Sequence, residues 1–180
     1  MSRLAEDVLV KLRQMAEEVS QREGCLLYDL EFTGGTRNRI LRVFIDRPEG
    51  TVTVDDCANV SRGLNLQLDV GDLIPGGAYE LEVSSPGIDR RLNQTWHFQK
   101  VLGQGVRIST TSPIPLPEGI ERKEGKSGPM SIEGELVGAE DELVVVKKQE
   151  VNWEVPRAII RQAKVVFDFQ ANRGKKKKKR

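Results

Sequence analysis

A chain of 180 residues, 38% hydrophobic and 31% charged, can build two small cores but has no apolar run near the ~20 residues that a membrane-spanning helix needs. Its two cysteines, Cys25 and Cys57, read as reduced thiols, since a disulfide framework or a metal site would need more ligands nearby. The net charge of +1 conceals an asymmetry: seven basic residues and no acid lie between Arg173 and Arg180, leaving 21 basic against 27 acidic residues, a formal −6, in the rest of the chain.

From the N-terminus, Leu4, Val8, Leu12, Met15, Ala16 and Val19 recur at intervals of three and four, which predicts a helix with one apolar face, stopped at Gly24. The opening MSRLAEDVLV carries acids and runs directly into that period. It therefore lacks the layout of a secretory leader, and the cytoplasm is the expected compartment. Leu26, Tyr28, Leu30 and Phe32 then alternate with other residues, Leu41, Val43 and Ile45 repeat the pattern, and TGGTRN between them predicts a hairpin turn. No helix follows Gly34 and Gly35, so a phosphate-cradling loop is not expected there.

Thr53 and Asp56 have the spacing of a capping box, and Cys57, Val60, Ser61, Leu64 and Leu68 trace a second amphipathic helix that Gly71 ends. Asp55 and Asp56 are thus helix-start acids; neighbours on a helix point about 100° apart and cannot readily share one substrate atom. A strand with Tyr79, Leu81 and Val83 on one face completes the order α, β, β, α, β. That order predicts a three-stranded mixed sheet with both helices on one face.

The strand runs into Ser84, Ser85, Pro86, Gly87, Asp89 and Arg90. Pro86 presets φ near about −65° and Gly87 tolerates positive φ, so a sharp turn is predicted, with the polar residues capping it and bridging two domains. Beyond Leu92, Trp96, Phe98 and Val101 suggest a short helical turn plugging the base of a barrel. Short strands follow at 106–110, 132–137, 143–147, 153–155 and 164–169, with bends at Gly134 and Gly138 and a single turn starting at Pro156. The expected fold class is α+β: an N-terminal αββαβ domain over residues 1–90, a small all-β SH3-like or Sm-like barrel over 91–170, and a disordered basic tail over 171–180. The proline-rich, charged segment PIPLPEGIERKEGKSGP between the first two barrel strands reads as a mobile loop, too polar to bury.

Residues that carry chemistry are sparse. His97 is the single histidine, flanked by Trp96 and Phe98, and reads as a packing residue before it reads as a base. A nucleophile at Ser84 or Ser85 would need a general base that no motif-like spacing supplies. There is no P-loop, dinucleotide fingerprint or metal-ligand spacing, so no cofactor, no metal and no enzymatic activity are expected. Arg37, Arg39 and Arg42 on the hairpin, with Arg90, Arg91 and Lys100, form either a basic patch or a solvated face beside the many acids. Trp153 is either a core residue or a stacking face for single-stranded RNA. In the tail, Arg173, Lys175, Lys176, Lys177, Lys178, Lys179 and Arg180 are candidate RNA contacts through phosphate, or a solubilising end.

The string YELEVSSPGIDRRL at residues 79–92 resembles the signature of the ribosome maturation factor RimP family, departing at Arg91, where the family has proline. The likeness extends to YDLEFTGGTRNRILRVFID (28–46), VDDCANVSRGLNLQLD (54–69), WHFQKVLGQGV (96–106) and VPRAIIRQAKVVFDF (155–169), and the segment Thr111 to Met130 is longer than in the family's barrel. The resemblance implies a cytoplasmic, monomeric assembly factor without a cofactor. Its implied partner is the free small ribosomal subunit, through rRNA and the subunit's twelfth protein, the latter met by the C-terminal barrel. Ser84, Ser85, Pro86, Gly87, Asp89 and Arg90 would then be contacts between domains and with the subunit. The other reading is an RNA-binding regulator on an Sm-like barrel, which would assemble into rings. An acidic body suits a strongly basic ribosomal protein, and this charge argument is independent of the resemblance.

Overall fold

The computed structural model describes residues 4–34, 38–87, 90–117 and 127–166. The chain divides into two compact units, Met1–Pro86 and Gly87–Arg180.

In the first unit the order is α1 (Glu6–Arg22), β1 (Leu26–Thr33), β2 (Ile40–Asp46), α2 (Val54–Gly71) and β3 (Glu80–Ser84). The sheet runs β1-β2-β3, with β2 antiparallel to β1 and parallel to β3. A parallel neighbour requires a crossover, and α2 supplies it. Leu12, Ala16 and Val19 of α1, Val60, Leu64 and Leu68 of α2, and Leu41, Val43 and Ile45 of β2 share one buried cluster. Alternation puts those three β2 residues on a single face, so both helices close the same side of the sheet. A Cβ on Gly63 would lie 2.8 Å from Val19 Cγ1, which is why α2 carries glycine where it meets α1.

Local signals fix the ends of these elements. Thr53 Oγ1 accepts from the Asp56 N–H at 3.1 Å, and an Asp56 carboxylate oxygen accepts from the Thr53 N–H at 2.8 Å, the reciprocal box the spacing predicts. At the other end Gly71 is still helical, and the left-handed position belongs to Asp72, with φ 41° and its N–H on Leu68 O at 3.2 Å. Asp tolerates that conformation better than most side chains, so the glycine is not required one residue earlier.

The second unit holds α3 (Thr95–Gln99), β4 (Gly105–Thr110), β5 (Ser131–Ala139), β6 (Leu143–Lys148), β7 (Val151–Pro156), a 3-10 turn over Arg157–Ile159 and β8 (Ile160–Val165). The strands form one antiparallel sheet in the order β7-β6-β5-β4-β8. Phe98 and Val101, in and after α3, enter the same buried cluster as Val106, Ile108, Ile132, Leu136, Val144 and Val146. β8 begins at Ile160, four residues before the expected start, because a three-residue turn returns the chain to β4 at once. Residues 167–169 of the expected strand lie outside the described residues.

The connection from β4 to β5 differs from its expected character. Ile114 is 1% exposed and belongs to the core, and its N–H bonds Pro129 O at 3.0 Å, so the two ends of the segment are tied together. Its apolar residues give it a buried anchor that composition averages away; residues 118–126 lie outside the described residues. β5 and β6 approach closely at Gly134, where a Cβ would sit 2.5 Å from Lys147 O. Among the described residues, no helix is long and apolar enough to cross a membrane.

Candidate functional site

The string singled out in the sequence straddles the division of the chain, which falls between Pro86 and Gly87. Ser84 is the last residue of β3, opposite Phe44 of β2, and both Ser84 and Ser85 are exposed. Pro86 is half-buried; Gly87 is exposed at φ 68°, with no atom within 4 Å of where a Cβ would stand. The turn therefore needs glycine for its backbone and not for lack of space. Arg90 is half-buried, and Arg91 is exposed and bridges Lys164 of β8. Asp89 lies outside the described residues, as do Arg37 and the tail cations Arg173, Lys175, Lys176, Lys177, Lys178, Lys179 and Arg180.

Of the hairpin arginines, the two within the described residues, Arg39 and Arg42, are engaged by the first unit itself. Arg39 is 6% exposed. Its guanidinium donates to Gly77 O at 2.7 Å and to Pro75 O at 2.5 Å, and it stands 5.2 Å from the Phe32 ring centroid. It clamps the loop between α2 and β3, and its backbone carbonyl accepts from the Glu80 N–H at 2.8 Å, where β3 starts. Arg42 pairs with Glu82 on the neighbouring strand at 2.5 Å. These two cations serve the sheet.

A second arginine clamp ties β2 to α2. Arg47 meets Asp56 with two nitrogens, Nε at 2.8 Å and Nη2 at 2.5 Å, and the Asp56 side chain is only 7% exposed. Arg47 beside it, with the Thr53 N–H, holds the Asp56 carboxyl well below the usual carboxylate range. Burial pushes the thiols of Cys25 and Cys57 up, with the Asp56 charge adding to the effect. Both stay protonated near neutrality and are poor nucleophiles.

His97 is 1% exposed. Its Nδ1 accepts from the backbone N–H groups of Asn93 at 3.1 Å and Gln94 at 3.3 Å, so the ring satisfies donors at the start of α3. Next to it Arg157 stacks on Phe98 at 4.7 Å, donates to Asn93 O at 3.1 Å and reaches Thr95 Oγ1 at 3.3 Å, while Thr95 donates to Asp141 at 2.8 Å. This network, which joins α3 to the 3-10 turn after β7 and to the β5–β6 turn, had no local signal in the sequence because its hydrogen-bonded partners lie 46 to 64 residues apart. Trp153 is half-buried against the core. Among the described residues no group of three or more His, Cys, Asp or Glu is placed to hold a metal ion.

The side chains of Arg39, Arg47 and Arg157 are spent on holding the elements of each unit in place. Residues 15–89 match the RimP N-terminal domain. This stretch, under half of the chain, likens the protein to the RimP family. The matched stretch runs from the middle of α1 through all three strands of the first sheet and on through the Ser-Ser-Pro-Gly turn. A domain of this kind supports a general role in ribosome maturation.

Proposed function

We propose that this RimP-like protein binds the free small ribosomal subunit and assists its late assembly in the cytoplasm, acting as a monomeric binding protein and not as an enzyme. The match of residues 15–89 to the RimP N-terminal domain carries the reading. We read the five-stranded sheet of the second unit as an SH3-like barrel, and residues 1–90, 91–170 and 171–180 as two domains and a basic tail. The barrel is the element we assign to the subunit's twelfth protein, and the tail to rRNA.

What supports the tail's assignment is its chemistry, since the cations between Arg173 and Arg180 suit phosphate. The formal −6 lies within residues 1–90, whereas residues 91–170 carry 11 basic and 11 acidic residues, so the barrel's assignment rests on the resemblance to the family and not on charge. Ser84, Ser85, Pro86, Gly87, Asp89 and Arg90 are assigned to the contacts between domains and with the subunit. The test is sedimentation of the full chain with purified free small subunits, large subunits and assembled ribosomes. Selective recovery with free small subunits is the expected result. A ring-sized oligomer that binds free RNA and ignores subunits would favour the Sm-like regulator instead.

A further inference from the structure

The turn between β6 and β7 is built against the preferences of its backbone. Lys148 pairs with Val151, so Gln149 and Glu150 form a two-residue connection, with φ of 52° and 63°. Positive φ at both central positions is the type I′ arrangement, which Asn-Gly fits and longer L-residues fit poorly. Elsewhere among the described residues positive φ falls on seven glycines and otherwise on Asp72 alone, so the chain places glycine where only the backbone matters. Gln149 and Glu150 are both exposed and pack no core. The Glu150 side chain, 84% exposed, meets Lys147 at 2.8 Å. An exposed pair of that kind contributes little to set against two strained residues.

We propose that the Lys148-Gln149-Glu150 tip is an RNA-contacting element, retained at a cost to the fold for what its side chains reach. Strain held by exposed residues marks a site where the side chain has a use outside the fold. The chemistry of the tip fits RNA. Among the described residues no ion pair engages Lys148, which leaves its ammonium for a phosphate. The Gln149 amide both donates and accepts, as an unpaired base edge or a 2′-hydroxyl requires. Glu150 is drawn to Lys147, which limits repulsion from the strand. A protein-docking tip would carry an aromatic or apolar anchor, and none of these three residues is one.

The proposal rests on the reading that the protein works on the small subunit, whose RNA is the ligand. The experiment combines Gln149→Asn with Glu150→Gly in the full chain, and separately makes Lys148→Glu. The probes are small-subunit rRNA stripped of protein, with excess tRNA as competitor, and intact free subunits. Asn-Gly should raise the folding equilibrium constant roughly tenfold, read from fluorescence of Trp96 and Trp153 in urea. The same variant should bind stripped rRNA roughly tenfold more weakly, and Lys148→Glu should weaken it in the same direction. A more stable protein that binds less is the outcome that a merely structural turn would not give. Unchanged stability overturns the strain argument. Unchanged rRNA binding, or wild type that does not bind rRNA above competitor, overturns the RNA contact. A loss on subunits with none on stripped rRNA assigns the tip to a protein and also overturns it. Wild type that binds stripped rRNA but not subunits would refute the subunit reading, with the tip still decided on the rRNA arm.

Discussion

Replacing Arg39 by alanine should unfasten the first unit without touching the second. Two hydrogen bonds from a cationic donor are lost, at 2.7 and 2.5 Å, together with the contact on Phe32 at 5.2 Å. Hydrogen bonds to charged groups contribute about 1.5–3 kcal/mol each and a partly exposed cation–π contact about 0.5–1 kcal/mol. Pro75, Gly76 and Gly77 are exposed, so water can reach the abandoned carbonyls and the low end applies. The expected loss is about 3 kcal/mol, or a urea midpoint lower by about 1–2 M. Lysine can meet one carbonyl but not both, so Arg39→Lys should recover about half of that loss. The assay is far-UV circular dichroism in urea with hydrogen exchange at Glu80, whose N–H bonds Arg39 O. Both tryptophans, Trp96 and Trp153, lie in the second unit, so their fluorescence transition should not move. A loss under about 1 kcal/mol, with lysine and alanine alike, would refute the clamp.

Other residues give sharper expectations. Because the folded Asp56 carboxyl is held below its unfolded pKa of about 3.9, its stabilisation is complete above that pH and is lost as pH falls toward the folded value. Asp56→Asn should therefore be less stable than wild type at pH 7, with the gap closing below about pH 4; a gap independent of pH would contradict the Arg47 pairing. Gly87→Val should add about 1–2 kcal/mol of backbone strain and no clash, weakening subunit association while both units stay folded by circular dichroism. Full association would remove the turn from the account. Truncation after Ala171 should flatten the slope of log affinity against log salt by at most roughly 5 to 6 units, with preference for the free subunit kept; an unchanged slope would show the tail to be idle.

Much of the architecture was legible in the sequence because it rests on short-range patterns. The three-to-four spacing of Leu12, Ala16 and Val19, the alternation of Leu41, Val43 and Ile45, and the Thr53–Asp56 box each act within one element, and each reappears where it was read. What escaped depends on partners far apart. Arg39 looked like one hairpin cation among several until Pro75 and Gly77, 36 and 38 residues on, folded over it. Arg47 had no signal of its own, and Asp56 read as a dipole acid before it read as half of an ion pair. The Gln149-Glu150 turn was missed because it lacks the Asn or Gly by which such turns are found. At the candidate site, sequence placed the turn and its positive φ, while the Ser84 and Ser85 hydroxyls stand exposed at its edge.

The central claim is selective association with the free small subunit, and gradient sedimentation of the full chain measures it most directly. The protein should travel with free small subunits and be absent from large subunits and assembled ribosomes. Equal recovery across all three, or none with the free small subunit, would contradict the account.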